Sequence, residues 1–159
     1  VKIIDNFLPK EEFLKIKNFV MSPDIPWYFI KKINIHHNKK DTTCYFIHKF
    51  FNNFNQSYCF EHLTPILNKL DIKSLIRVKG NLYPKTNKLE IHKPHIDYPF
   101  IHKACIFYIN TNNGFTILEN KTKIESIENR MLFFDANKMH SSTNTTNKKC
   151  RININFNYF

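Results

Sequence analysis

Two histidines and one aspartate stand where they could share a cation. His95-Ile96-Asp97 is an H-x-D triplet at the end of a segment with strand-like alternation. Residues two apart on a strand project to the same side, so an imidazole nitrogen and a carboxylate oxygen can reach one ion. His140 follows the strand-like stretch Met131–Asp135 and could add a second imidazole. Two histidines and one carboxylate form a facial triad, the set that holds iron(II) and leaves coordination positions open. Open positions suit chemistry in which a bidentate co-substrate and O2 share the metal. Taken alone, the triplet is better read as a surface strand with polar residues facing solvent. The chain has eight histidines, and His92 and His102 flank the triplet as possible decoys. His36, His37, His48, His62 and His102 read as surface or helix residues, and Asp135 as the end of a strand.

The last segment, residues 149–158, adds a second signal. Arg151, Asn153, Asn155 and Asn157 alternate with Ile152, Ile154, Phe156 and Tyr158. A half-exposed strand explains this pattern. So does a strand whose polar face turns into a barrel, where Arg151 could take a carboxylate in a bidentate fork. Arg151 is one of only three arginines and follows His140 by a short loop and a strand.

These residues need a strand scaffold, and the second half of the chain supplies one. Segments 75–83, 88–96, 103–110, 114–119, 122–127, 130–135 and 148–158 are short, rich in β-branched and aromatic residues, and separated by turn residues. Seven or eight strands without intervening helices predict a barrel or sandwich. Asn112-Asn113-Gly114 is a turn signal, because Asn and Gly tolerate positive φ. The first half reads as mainly helical, with helices over 10–21 and 59–70. The stretches Trp27–Ile35 and Thr43–Phe51 could be strands or short helices. Helices followed by strands predict helices buttressing one face of the sheets.

Composition narrows the class. The chain has 159 residues, 42% hydrophobic and 15% aromatic, which suits one globular domain over 1–159. No apolar run is long enough to cross a membrane, and the opening VKIIDNFLPKEEF reads as an amphipathic start rather than a leader. Cys44, Cys59, Cys105 and Cys150 form no C-x-x-C pair and read as free thiols in a reducing cytoplasm. The net charge of +11 invites a nucleic-acid reading. Against it, the charge comes from 21 scattered lysines, while arginine, the residue of bidentate phosphate and base contacts, is scarce.

The order H-x-D, distal His, then Arg on the final strand resembles the 2-oxoglutarate/iron(II) oxygenases. The local text is similar to their prolyl-hydroxylase branch. Leu82-Tyr83-Pro84 precedes the triplet, and Cys105-Ile106-Phe107-Tyr108-Ile109-Asn110 follows it and looks like that branch's C-I-Y-Y-L-N strand. Gly114-Phe115-Thr116 is similar to its G-G-x-T turn, with Asn113 where the first glycine would stand. Arg130-Met131-Leu132-Phe133-Phe134 leads to His140, and Arg151 leads to Tyr158-Phe159. The opening Ile3-Ile4-Asp5-Asn6-Phe7-Leu8-Pro9 also looks like the start of such a domain. The likeness covers most of 75–159 in order.

The resemblance implies a double-stranded β-helix, or jelly-roll barrel, over 75–159, with helical support and substrate-side elements in 1–74. It implies iron(II) on His95, Asp97 and His140. Arg151 would hold the distal carboxylate of 2-oxoglutarate, with a hydroxyl from Tyr108. Tyr83 would face the co-substrate or the open metal position, and Thr116 would line the same pocket. The activity implied is hydroxylation of an unactivated C–H bond, of a peptidyl residue or small metabolite, using O2 and yielding succinate and CO2. Asn81 before the triplet and Asn153 after Arg151 support a second comparison. That N-x-Y and R-x-N pattern is similar to the nucleic-acid alkylation-repair dioxygenases, in which both asparagines help hold the co-substrate. A third reading is a barrel that keeps a metal and acts as an interaction module.

Overall fold

The computed structural model describes residues 1–31 and 44–159. Its elements follow the hydrophobic periodicity. After β1 (Lys2–Ile4), Phe13, Ile16 and Val20 fall on one face of α1 (Lys10–Val20), and all three are buried. Pro9 needs no amide donor at the helix start, and Glu11 and Glu12 complement the positive end of the helix. Burying each of the three side chains is worth about 1.5–3 kcal/mol.

The expectation of a mainly helical first half is corrected, and of the two stretches left open between strand and helix the described parts contain strands. Strands β2 (Tyr28–Ile30), β3 (Tyr45–Asn52) and β4 (Asn55–Gln56) lie within that half, and β1 to β4 all join the large sheet. Outside these strands, the rest of Trp27–Ile35 and Thr43–Phe51 falls partly outside the described residues, as do His36 and His37. The helix expected over 59–70 is broken into a 3-10 turn (Phe60–Leu63) and a short α2 (Thr64–Leu67). Pro65 stands at the first turn of α2, where the backbone lacks a donor.

The second half folds as β5 (Leu75–Pro84), β6 (Lys103–Tyr108), β7 (Phe115–Leu118), β8 (Lys123–Glu125), β9 (Arg130–Asp135), β10 (His140–Ser142) and β11 (Cys150–Tyr158). The large sheet runs β1-β9-β6-β11-β5-β3-β2, with β4 on β3, and a smaller sheet runs β10-β7-β8. Every named pairing is antiparallel. The two facing sheets make the double-stranded β-helix.

Residues 88–96 are not the strand their alternation predicts. They form an extended segment held to the edge of β10 by single bridges, Ile91 to Thr143 and His95 to His140. Pro94 has no amide to donate to a ladder. Between the expected strands 130–135 and 148–158 lies a further short strand, β10.

Central β11 is buried on both faces. Ile152, Ile154 and Phe156 join Phe13, Ile16, Val20 and Phe107 in the core beneath the helices. A second cluster, including Ile106, Tyr108, Leu118, Leu132 and Phe134, fills the barrel on the other side. The polar face of β11 also turns inward, where the site lies. Gly114 does not adopt positive φ as its turn signal suggested. It is needed because a Cβ there would come within 2.5 Å of Arg151 Cδ and collide with the Asn144 carbonyl.

Candidate active site

Antiparallel β5 and β11 present matched polar residues to the barrel interior. Tyr83 opposes Arg151, Asn81 opposes Asn153, Lys79 opposes Asn155, and Arg77 opposes Asn157. Directly opposed residues share a face, so these four rungs make one wall. The other face of β5 carries Val78 and Gly80. A Cβ on Gly80 would sit 3.1 Å from the Phe50 and Trp27 rings. The polar wall lines a cavity of about 290 Å³, together with Tyr45, His92, His95, Asp97, Thr116, His140 and Ser142.

His95, Asp97 and His140 converge at one end of this cavity, with one ligand atom of each lying within 4.8 Å of the others. His95 Nε2 is 3.9 Å from Asp97 Oδ1, and His140 Nε2 is 4.0 Å from Asp97 Oδ2. The bridge between residues 95 and 140 holds the two histidines side by side. Each Nδ1 faces a backbone carbonyl, Lys93 for His95 at 3.4 Å and Lys138 for His140 at 3.2 Å. A carbonyl only accepts, so the proton belongs on Nδ1 and the Nε2 lone pair points to the cluster. Burial lowers the His140 pKa below that of a free histidine, against the opposing pull of Asp97, which favours the neutral ligand form. The His95 side chain is 40% exposed, so the cluster opens to solvent on that side.

Asp97 is held from behind. Arg77 Nη2 donates to Oδ1 at 2.7 Å, and the amides of Asn155 and Asn157 donate to Oδ2 at 2.9 Å each. Arg77 Nη2 also donates to Asn157 Oδ1 at 3.1 Å and its guanidinium stacks over Tyr98. Burial alone would raise the Asp97 pKa. Arg77, His140 and the two amides outweigh it and hold the carboxyl well below the usual range. The three donors leave room on an ionised carboxylate for a further partner. His102, read from sequence as a surface residue, is buried in this network. Its Nδ1–H donates to the Phe100 carbonyl at 2.9 Å and its Nε2 accepts from Asn157 Nδ2 at 3.1 Å. His48 is also buried, between the Pro26 carbonyl and the Ser57 hydroxyl, which corrects the same reading.

Arg151 sits at the other end and is fully buried. It lies just behind the cavity wall formed there by Thr116, Ser142 and Tyr83. Nε donates to Ser126 Oγ at 2.7 Å, Nη1 donates to Ser142 Oγ and to the Thr143 carbonyl, and Nη2 donates to Thr116 Oγ1 at 3.2 Å. All four partners are neutral, and among the described residues Arg151 has no ion pair. Tyr108 is likewise behind the wall, with its hydroxyl donating to Thr116 Oγ1 at 2.8 Å. Tyr83 lines the cavity itself. Its pKa is pushed up to about 12 by burial, partly offset by Arg151, so it stays a neutral hydroxyl. Asn81 Nδ2 donates to Asn153 Oδ1 at 3.0 Å, so the two asparagines act as one pair in the middle of the wall. His92 packs against Tyr83 and stays outside the metal-sized trio.

Sequence reading missed Arg77, Lys79 and Ser142. The signal for the first two was available: Arg77, Lys79, Asn81 and Tyr83 alternate with apolar residues and glycine exactly as far as β5 runs inward, the same pattern read on the last strand.

No family model matches this sequence, and no curated protein matches it. Solved structures do. A prolyl hydroxylase from Trichoplax adhaerens, solved with a hypoxia inducible factor oxygen degradation domain peptide, superposes with a TM-score of 0.67 at 19% identity, covering 99% of this chain and 82% of that one. A 2OG-Fe(II) oxygenase family oxidoreductase from Burkholderia pseudomallei gives 0.72 at 10% identity, covering 98% and 83%. The fold is that of the 2-oxoglutarate/iron(II) oxygenases. A viral collagen prolyl hydroxylase from Paramecium Bursaria Chlorella virus-1, solved as a 2OG complex, gives 0.63 at 15% identity, covering 98% and 93%.

Proposed function

We propose that this protein is an iron(II)- and 2-oxoglutarate-dependent oxygenase that hydroxylates an unactivated C–H bond of a peptidyl residue or small metabolite. One observation carries the reading. A two-histidine, one-carboxylate cluster lines one end of a cavity, and a fully buried guanidinium with no counter-ion among the described residues stands just behind the wall at the other end. A buried charge with only neutral partners is costly, and an incoming carboxylate relieves that cost.

Both absent groups fit the residues present. His95, Asp97 and His140 are the donor set for a divalent iron with open positions. Arg151 would take the distal carboxylate of a dicarboxylate co-substrate, which requires the Ser142 and Thr116 hydroxyls to yield their bonds to it. When bound, iron(II), 2-oxoglutarate and O2 supply the oxidation: the co-substrate loses CO2 to become succinate, and the second oxygen atom enters the product hydroxyl. The chain's own residues prepare for this. Arg77, Asn155 and Asn157 keep Asp97 ionised and aimed, burial keeps His140 neutral, and Tyr83 offers a neutral hydroxyl beside Arg151. The Asn81–Asn153 pair spans the wall between the two ends. The peptide held by the Trichoplax enzyme supports a peptidyl substrate here.

Anaerobic titration with iron(II) and 2-oxoglutarate tests the reading. The expected result is a visible metal-to-ligand charge-transfer band in the parent that is lost in His95→Ala. Absence of the band, together with no thermal stabilisation by 2-oxoglutarate, would leave a metal-binding interaction module as the better account.

A further inference from the structure

Among the described residues, Lys79 has no ion-pair partner. Lys79 lies on the inward face of β5, between Arg77 and Asn81, and lines the cavity. Arg77 is committed to Asp97. Among the described residues, no carboxylate comes within ion-pair distance of Lys79. Its neighbours across the strands are Asn155 on β11 and Lys49 on β3. Directly opposed like charges destabilise a sheet, so the Lys49–Lys79 pairing carries a cost that an anion between them would remove. Lys93 adds a third positive charge at the cavity rim.

Position separates Lys79 from the co-substrate end. Arg151 and Tyr83 share a rung four residues along β5 from the rung of Lys79 and Asn155, a separation of about 13 Å at strand rise. Asn155 is bonded to Asp97, so Lys79 stands at the metal end. The charges there do not balance. Among the described residues Asp97 is the one carboxylate lining the cavity, and Arg77 neutralises it. With the distal carboxylate of the co-substrate on Arg151, its other carboxylate would offset only part of a divalent metal's charge. Lys79, and Lys93 at the rim, are left over.

We propose that Lys79 is a specificity-determining residue that holds a carboxylate of the substrate beside His95, Asp97 and His140. The proposal rests on the oxygenase reading of the cavity and names the substrate class: an acidic small molecule or an acidic side chain of a peptide. A nucleic-acid backbone fits less well. Its phosphates are met by cations on open surfaces, whereas this amine is recessed within the cavity wall.

The test uses the full chain loaded with manganese(II) and 2-oxoglutarate, which is inert to turnover. The probes are N-acetyl-aspartate amide and N-acetyl-glutamate amide, each paired with its neutral asparagine or glutamine counterpart. Binding is read from paramagnetic broadening of the probe protons, which reports closeness to the metal. The acidic probes are expected to bind about tenfold or more tighter than the neutral ones, the scale of one charge-assisted hydrogen bond. Lys79→Met should abolish the preference and Lys79→Arg should retain it. Neither should change the half-saturating concentration of 2-oxoglutarate. Equal binding of acid and amide, or no binding of either acid, overturns the proposal. A large loss of 2-oxoglutarate affinity in Lys79→Met also overturns it, by assigning the amine to the co-substrate. Displacement of the probes by a thymidine oligonucleotide would overturn it in favour of a phosphodiester. A cooperative thermal transition in Lys79→Met, at or above the parent midpoint as relief of the Lys49–Lys79 repulsion requires, shows that the variant folds. The charge-transfer titration with iron(II) separates the two readings: a band without acid preference sinks this inference alone, and no band sinks the oxygenase reading.

Discussion

Arg77 and Arg151 occupy opposite ends of the same antiparallel ribbon, on β5 and β11, and both are largely withdrawn from water. Arg77 has a carboxylate at 2.7 Å and an asparagine oxygen at 3.1 Å. Arg151 has three hydroxyls and a backbone carbonyl. The first arrangement is closed: the charge is neutralised by Asp97, and the pair fixes a candidate metal ligand. The second is open, because neutral oxygens satisfy the geometry of a guanidinium without cancelling its charge. A buried cation of the first kind reads as scaffold, and one of the second kind reads as a seat for an anion from outside.

The contrast can be broken at three points. Arg77→Met removes one partner of a buried pair and leaves Asp97 uncompensated, so urea denaturation of the metal-free protein should show a loss of about 3 kcal/mol. Arg151→Met should cost the metal-free protein less, since no counter-ion is stranded. Its effect should appear instead in 2-oxoglutarate titration, as roughly a hundredfold rise in the half-saturating concentration, about 2.7 kcal/mol. Equal stability losses in the two variants would erase the distinction. Gly114→Ala forces a Cβ against Arg151 Cδ and the Asn144 carbonyl. It should lower stability by about 1–3 kcal/mol and weaken 2-oxoglutarate binding as Arg151 is displaced.

The smallest effect is on pH dependence. Burial lowers the pKa of both His48 and His140, with the Pro26 carbonyl and Asp97 respectively opposing it. A base with a folded pKa below its unfolded value, near 6.5, binds fewer protons when folded. Its contribution to stability is full above about pH 6.5 and declines as pH falls through the folded pKa. Thermal midpoints should therefore drop between pH 7.5 and pH 5.5 (roughly the histidine range), and His48→Gln should flatten the slope. A slope unchanged by His48→Gln would assign the dependence to other groups.

Legibility followed the range of the interactions. The strand read over 148–158 is found as Cys150–Tyr158, and that over 130–135 as Arg130–Asp135, because strict alternation is a local pattern that burial enforces. The helix over 10–21 is found as Lys10–Val20 for the same reason. The segment 88–96 alternates too, yet it forms only two bridges, since a ladder needs a partner edge and a donor at every turn. β2 and β3 were ambiguous because each is decided by pairing, β3 against β5, some thirty residues distant along the chain. Whether His102 was a surface residue turned on Asn157, at the far end of the last strand.

The chain's own order of residues determined the candidate chemistry: which side chains could bind a cation, which arginine could meet a carboxylate, and which strands would alternate. These are properties of residue type and local period. Tertiary structure decided the rest. It set Arg77 against Asp97, left Arg151 without a counter-ion among the described residues, put Lys79 opposite Lys49, and brought His95 beside His140. Each is a contact between strands that are neighbours only once the sheets close, and no local pattern carries the energy that selects it.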